Sequence, residues 1–241
     1  ALKLIAAALL GQGKSVLHNV PNISDIDIMI EVLKSLGASV ERTGHTIAID
    51  TANATGFETP YELVSKMRAS ISILGPLIGR FGKARVAMPG GCKIGARKID
   101  MHLSVLEALG VSFVNDHGYL YASSPDGLHA AKVFLDFPSV GATENMLMAS
   151  VTTEGTTVID NAAREPEIVD LANMLNEMGA CVQGAGTSTI VVHGVALSDM
   201  HPCEHWVVGD RIEAGTYLTA GALLGGPITV EGIDPEFLRT V

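Results

Sequence analysis

The stretch LGASV at residues 36–40 recurs along the chain and decides the fold class. It returns as LGVSF at residues 109–113 and as MGACV at residues 178–182, so the repeating unit is about 70 residues long. Each copy follows a run with apolar residues at helical spacing and precedes a predicted β-hairpin. We therefore expect Gly37, Gly110 and Gly179 each to end a helix in a left-handed conformation.

The sequence around each glycine predicts the same order of elements: helix, strand, helix, strand and strand. The helices that end at the glycines are predicted at 26–36, 101–109 and 168–178. The hairpins pair 39–42 with 46–50, 112–115 with 119–122, and 181–183 with 189–193. Each unit opens with a helix, at 1–10, 61–78 or 142–152, and a strand, at 15–19, 84–88 or 156–160. This pattern predicts an α/β fold of three repeats.

A fourth unit starts after the third one and breaks off. We expect a helix at 212–224, a strand at 227–231 and a second helix from residue 234. No closing glycine and hairpin follow, and residue 1 falls inside a predicted helix. These observations predict that the chain is a piece of a longer protein.

Composition limits the function classes. Hydrophobic residues make up 47% of the 241 residues and charged residues only 17%, which is typical of a folded globular protein. The net charge of −10 argues against a nucleic-acid surface, so an anionic ligand would need a local positive pocket. The apolar runs are too short to span a bilayer. Cys92, Cys181 and Cys203 are widely spaced and predict neither a disulfide framework nor a metal site. We expect a cytoplasmic protein that binds neither nucleic acid nor membrane.

The segment MPGGCKIGARKIDMH at residues 88–102 concentrates reactive groups. Its three glycines predict a loop, and Cys92 lies on that loop. Lys93, Arg97 and Lys98 would favour the thiolate form and would attract an anionic substrate. The alternative is an exposed loop whose cysteine has no role, but the clustering of charges favours a reactive cysteine.

Five motifs in the same order resemble the UDP-N-acetylglucosamine enolpyruvyl transferases. Besides residues 88–102, they are PYELVSKMRAS at 60–70, PSVGATEN at 138–145, EGTTVIDNAAREPEIVD at 154–170 and DRIEAGT at 210–216. The resemblance implies an inside-out α/β barrel, with helices inside and sheets outside, built from three βαβαββ-type repeats. It also implies that residues 1–209 form the second domain of the enzyme and that residues 210–241 begin an incomplete return into the first domain.

The resemblance also implies the reaction. An enolpyruvyl group moves from phosphoenolpyruvate to the 3′-hydroxyl of UDP-N-acetylglucosamine, phosphate is released, and no cofactor is needed. Cys92 corresponds to the cysteine that donates a proton and can add covalently to phosphoenolpyruvate. Because further site residues belong to the first domain, we expect this chain alone to be inactive.

The remaining site residues come from three segments, and the resemblance assigns all of them to substrate. Arg97 corresponds to an arginine that binds phosphoenolpyruvate, and Arg68 corresponds to one that contacts substrate. The other expected contacts are Lys98, Ile99, Asp100, Met101 and His102 along the uridine and ribose, and Phe137, Pro138, Ser139, Val140 and Gly141 at the nucleotide. Lys98 replaces a proline common in the family, and Phe137 replaces a lysine found in some members.

Structural interpretations of these residues remain open. Arg68 would otherwise be a salt-bridged arginine in an apolar helix, and Asp100, His102 and Ser139 would be ordinary residues of helix N-termini. For Arg164 to Glu167 and for Asp210 and Arg211 we expect ion pairs and turns, with a hinge near residue 210. At the level of function, the alternatives are a related enolpyruvyl transferase of the same fold and a non-catalytic domain that binds nucleotide sugars.

Overall fold

The computed structural model describes residues 1–65, 67–88 and 98–239. The first unit contains helix α1 (Leu2–Ala7), a 3₁₀ helix (Ala8–Leu10), strand β1 (Lys14–His18), α2 (Ser24–Ser35), β2 (Ser39–Thr43) and β3 (Thr46–Asp50). The second contains α3 (Tyr61–Val64), a 3₁₀ helix (Arg68–Ile73), α4 (Leu74–Phe81), β4 (Lys83–Ala87), α5 (Asp100–Ala108), β5 (Ser112–Asp116) and β6 (Tyr119–Ser123).

The third unit and the C-terminal segment complete the description. The third unit contains β7 (Lys132–Phe134), α6 (Val140–Ser150), β8 (Thr156–Asp160), α7 (Pro166–Glu177), β9 (Cys181–Gln183) and β10 (Thr189–His193). A 3₁₀ helix (Leu197–Asp199), β11 (Glu204–Trp206), α8 (Arg211–Leu224) and a last 3₁₀ helix (Pro235–Leu238) follow.

The predicted repeat is present in all three units. Gly37, Gly110 and Gly179 follow the ends of α2, α5 and α7, with φ angles of 96°, 93° and 99°. A side chain is strained in this left-handed region, which explains why glycine occupies the same place three times. Each glycine is followed by the predicted antiparallel hairpin.

The strands form three sheets, with orders β11-β1-β3-β2, β4-β6-β5 and β7-β8-β10-β9. Two of these strands were not predicted. β7 runs parallel to β8, and β11 runs parallel to β1 with Val16 opposite Glu204. The pairing of β11 with β1 joins the end of the third unit to the first one.

The core lies between the sheets and is made largely of helices. In α6 every residue from Ala142 to Ser150 is buried, and α6 packs against α4, α5 and α7. The central strands β1, β3 and β8 bury alternate residues only, so that one face of each sheet lies on the helices.

Two predicted elements are wrong. The helix predicted over 61–78 is divided, because Met67 is extended (φ −133°, ψ 121°) and Pro76 cannot donate a hydrogen bond to the carbonyl four residues before it. The strand predicted at 227–231 is absent, since no strand is assigned over those residues. Within the described ranges, the helices lack the combination of length and apolar character that a membrane span requires.

Candidate active site

A cavity of about 1100 Å³ lies where three helical segments of the second and third units meet. Its walls include the start of the 3₁₀ helix at Arg68, the start of α5 and the N-terminus of α6. Residues of α1 and the beginning of α2 complete the walls, among them Lys3 and Asp25.

Nearly all predicted substrate contacts that the structure describes line this one cavity. They are Arg68, Lys98, Asp100, Met101, His102, Phe137, Pro138, Ser139, Val140 and Gly141. Ile99 is buried beside them and does not line the cavity. Cys92 and Arg97 lie outside the described residues, so their positions stay predictions. Three segments that are far apart in the sequence therefore meet at this cavity.

Arg68 connects two of these segments. Its Nη2 donates a hydrogen bond to the carbonyl of Lys98 at 3.3 Å, which ties the 3₁₀ helix to the chain just before α5. The guanidinium is partly exposed to the cavity. A planar cation at this place can bind a phosphate or carboxylate with two parallel hydrogen bonds.

His102 is buried on the first turn of α5 and remains neutral. Burial, and then the positive charge of Arg68, lower the pKa of its imidazole to about 4. Its ring lies against Gly141, where a Cβ atom would be only 2.5 Å from Cε1. A side chain at residue 141 would therefore displace the imidazole, which gives Gly141 a packing reason to be glycine.

The N-terminus of α6 presents backbone donors to the cavity. Ser139 is the N-cap, and its Oγ accepts a hydrogen bond from the amide of Ala142 at 3.4 Å. Thr143 Oγ1 donates to the Ser139 carbonyl at 2.8 Å. The amides of Val140 and Gly141 belong to the first helical turn, where no intrahelical acceptor exists. Ser139 is thus a helix cap, as the structural interpretation expects, on a helix end that can bind an anion.

Lys3 and Glu144 form an ion pair in the cavity wall that the sequence motifs did not reveal. Glu144 is buried within α6, and burial raises the pKa of its carboxyl although the charge and hydrogen bond of Lys3 oppose the rise. Each residue is a single charge in an apolar helix. A buried charge in such a helix is costly unless it is paired, so a search of the sequence for single charges in apolar helices would have found this pair.

The described walls are not positively charged overall. They hold three cations, Lys3, Arg68 and Lys98, and three carboxylates, those of Asp25, Asp100 and Glu144. The local positive pocket expected from the net charge of the chain therefore does not arise from the described residues. Lys93 and Arg97, which carry the rest of the predicted charge, lie outside them.

The segment that follows the third unit is held to α7 by two clusters of charged residues. Arg211 donates to both carboxylate oxygens of Glu167, each at 3.1 Å, and these bonds lower the pKa of Glu167 although its burial acts in the opposite direction. Asp210 caps α8 through the amides of Ile212 and Glu213. The predicted ion pair and turn are confirmed, and the hinge stays a prediction.

His205 forms the second cluster. The ring nitrogens lie 2.9 Å from Asp170 Oδ1 and 2.7 Å from Glu177 Oε2. Burial alone would lower the pKa of this imidazole, but hydrogen bonds to the two carboxylates raise it. In the described part of the chain, His, Cys, Asp and Glu form no group of three that could hold a metal ion.

The comparisons with known proteins agree with the motifs. A family model described as EPSP synthase (3-phosphoshikimate 1-carboxyvinyltransferase) matches residues 1–241. UDP-N-acetylglucosamine 1-carboxyvinyltransferase of Corynebacterium jeikeium (strain K411) is 52% identical over 240 residues, covering 100% of this chain and 57% of that protein. UDP-N-acetylglucosamine 1-carboxyvinyltransferase 1 of Symbiobacterium thermophilum is 51% identical over 246 residues, covering 100% and 55%. The chain thus spans little more than half the length of these relatives.

Solved structures share the fold. The enolpyruvyl transferase NikO from Streptomyces tendae has a TM-score of 0.80 at 24% identity, covering 91% of this chain and 52% of that one. EPSP synthase from Acinetobacter baumannii has a TM-score of 0.67 at 17% identity, covering 92% and 50%. At these identities the likeness concerns the fold alone, which is the mixed α/β fold of the enolpyruvyl transferases.

Proposed function

The chain belongs to the EPSP synthase family, and on that premise we propose that it is part of an enzyme that transfers an enolpyruvyl group from phosphoenolpyruvate to UDP-N-acetylglucosamine. The acceptor is the 3′-hydroxyl of the sugar, phosphate is released, and the product is the first committed precursor of peptidoglycan. The curated relatives that share about half of its residues carry this activity in their names. In a bacterium, this pathway would place the protein in the cytoplasm.

One observation carries the proposal. The segments at Arg68, at 98–102 and at 137–141 were each assigned to substrate binding from sequence motifs, and residues of all three line one cavity. Its volume of about 1100 Å³ lies at the upper end of the usual range for small-ligand pockets, which suits a ligand as large as a nucleotide sugar.

The described residues would bind and orient the sugar nucleotide. The free amides of Val140 and Gly141 and the guanidinium of Arg68 can bind phosphate oxygens. The hydroxyl loses its proton to a base and its oxygen adds to C2 of phosphoenolpyruvate while C3 takes up a proton. Loss of phosphate and of a C3 proton then restores the double bond. The donor of the first proton would be Cys92.

We propose that the fold is an inside-out α/β barrel of three βαβαββ repeats in residues 1–209, with residues 210–241 beginning the return to another domain. The central helices, the three sheets and the closing pair of β11 with β1 support this architecture. The exposed apolar residues of α8, among them Tyr217, Leu223 and Leu224, also support it, because another domain could cover them.

Titration calorimetry of this chain tests the ligand. UDP-N-acetylglucosamine should bind, and shikimate 3-phosphate, the acceptor of the related enzymes, should not. Arg68→Gln should weaken binding by at least about tenfold because a charged hydrogen bond to phosphate is lost. Arg42→Gln, which changes an arginine that pairs with Asp27 and does not line the cavity, is the matched control. Binding of shikimate 3-phosphate in place of the sugar nucleotide would refute the proposed acceptor.

Labelling with fosfomycin tests the cysteine, since the resemblance implies that this thiol reacts with it. UDP-N-acetylglucosamine should accelerate an adduct at Cys92, located by peptide mass. Cys181 and Cys203 are internal controls, and burial together with Glu177 raises the pKa of Cys203 to about 11, which keeps it unreactive. Labelling of either control at the rate of Cys92 would contradict the assigned role.

A further inference from the structure

Asn145 lies at the point where the three cavity segments meet. It is fully buried in α6, one turn after Gly141. Its Oδ1 accepts a hydrogen bond from the amide of Gly75 at 2.7 Å, and its Nδ2 donates to the carbonyl of Ile71 at 3.2 Å. The same Nδ2 lies 2.8 Å from Nδ1 of His102. One side chain thus connects α6 with α4, with the 3₁₀ helix that carries Arg68, and with α5.

These partners determine the orientation of the Asn145 amide. A backbone amide can only donate, so the atom that faces Gly75 must be the carbonyl oxygen. The carbonyl of Ile71 can only accept, so the atom that faces it must be the amide nitrogen. The nitrogen is therefore also the atom next to His102, where it donates.

The orientation of Asn145 in turn determines the tautomer of His102. Because Nδ1 accepts a hydrogen bond from Asn145, Nδ1 carries no proton, and the proton of the neutral ring is on Nε2. The positive charge of Arg68 nearby disfavours a second proton on the ring.

The Nε2–H group faces the cavity. His102 lines the cavity, and a Cβ atom on Gly141 would be 2.9 Å from Nε2. Among the described residues, Arg85 Nε is the one side-chain polar atom that is both fully buried and without a hydrogen-bond partner. Nε2 of His102 has no partner among these residues either, so Nε2 is not fully buried. Nε2 is therefore reached from the cavity and sits beside the free amides at the start of α6.

We propose that Asn145 is a positioning residue that holds His102 as the Nε2–H tautomer, so that the imidazole donates a hydrogen bond to an acceptor oxygen of the bound nucleotide sugar. The ligand part of this inference rests on the proposed function. A neutral donor is suited to this place, since it binds an oxygen without adding to the positive charge of Arg68.

Nuclear magnetic resonance of the imidazole nitrogens tests the tautomer in the unaltered chain. With ¹⁵N-labelled histidine, His102 should show an unprotonated Nδ1 and a protonated Nε2 across pH 5.5 to 8, and a His102→Gln variant identifies its signals. The Nδ1–H tautomer, or a charged ring in this range, would overturn the proposal.

Asn145→Asp tests the positioning role. A carboxylate at residue 145 can only accept from His102, so the neutral ring should hold its proton on Nδ1 and leave Nε2 without one. Binding of UDP-N-acetylglucosamine should weaken by at least about tenfold, as expected when one donor to a charged acceptor is lost. An unchanged His102 tautomer in a folded Asn145→Asp chain would overturn the proposal.

Asn176→Asp is the matched control. Asn176 is also a helical asparagine whose amide bridges backbone groups, here the N–H and C=O of Val182, and it does not line the cavity. Its replacement should lower stability and leave the His102 spectrum and the affinity unchanged. If the native chain bound no sugar nucleotide, the proposed function would fail, while the tautomer measurement would still decide the role of Asn145.

Discussion

The buried pair of Lys3 and Glu144 allows a quantitative prediction. The replacement Lys3→Met keeps the volume of the side chain and removes the cation, so that the buried carboxylate of Glu144 loses its partner. Breaking a buried ion pair by removing one partner costs about 3–5 kcal/mol. We expect the free energy of unfolding to fall by about 3 kcal/mol at pH 7, near the lower limit because Lys3 is still partly exposed.

The loss should depend on pH in a defined direction. Without Lys3, the already raised pKa of Glu144 rises further, so the folded chain holds the proton more tightly than the unfolded chain. Stability is then retained below the unfolded pKa of about 4.3 and falls by about 1.4 kcal/mol for each pH unit above it. The difference between the two chains should therefore be small at acid pH and should grow as the pH rises past the raised pKa of Glu144.

Urea denaturation of both chains from pH 4 to 8 measures this effect. Lys14→Met is the matched control, because Lys14 pairs with Glu41 at 3.5 Å on the surface and should change stability by less than about 0.5 kcal/mol at any pH. The double variant Lys3→Met, Glu144→Leu should recover most of the stability. A loss below about 1 kcal/mol at pH 7, or one equal at pH 4 and pH 8, would refute the reasoning.

Three further predictions concern other parts of the fold. In His205→Gln the deficit in the free energy of unfolding should be largest below pH 6.5 and should shrink as the pH rises, because the charged imidazole contributes until the pH passes its raised pKa. Gly75→Ala should cost about 1–3 kcal/mol in urea denaturation, since its Cβ would lie 2.5 Å from the carbonyl oxygen of Asn145 and would separate α4 from α6. Phe137→Lys should strengthen UDP-N-acetylglucosamine binding about fivefold in calorimetry, since a cation about 4 Å from a phosphate contributes about 1 kcal/mol in water.

Each of these has its own control and a result that would contradict it. A constant His205→Gln deficit between pH 6 and 9 would exclude titration of this ring, and Cys203, with a pKa of about 11, stays protonated throughout. Gly226→Ala is the control for Gly75, because no described atom lies within 4 Å of its added Cβ; equal losses would disprove close helix packing. Phe137→Leu should leave affinity unchanged, and no gain from lysine would show that no ligand charge lies near residue 137.

The features of the site that depend only on neighbouring residues could be predicted from the sequence. The N-cap at Ser139, the start of α5 near Asp100 and the cation at Arg68 follow from short patterns, and the family motifs assigned these segments to substrate binding. Contacts between residues that are far apart in the chain could not be predicted from the sequence. Asn145 shows nothing unusual in its own helix, and its role comes from the distance to Gly75 and His102.

By itself, the sequence determined the three repeats, the glycines that end α2, α5 and α7, and the hairpins behind them. Hydrophobic periodicity and left-handed caps depend on neighbours within a few residues, so a local pattern carries them. The tertiary structure alone decided that β11 pairs with β1, that Lys3 meets Glu144 and that His205 lies between two carboxylates. These contacts join residues that are distant in the chain, and only the packing of buried helices brings them within hydrogen-bond distance.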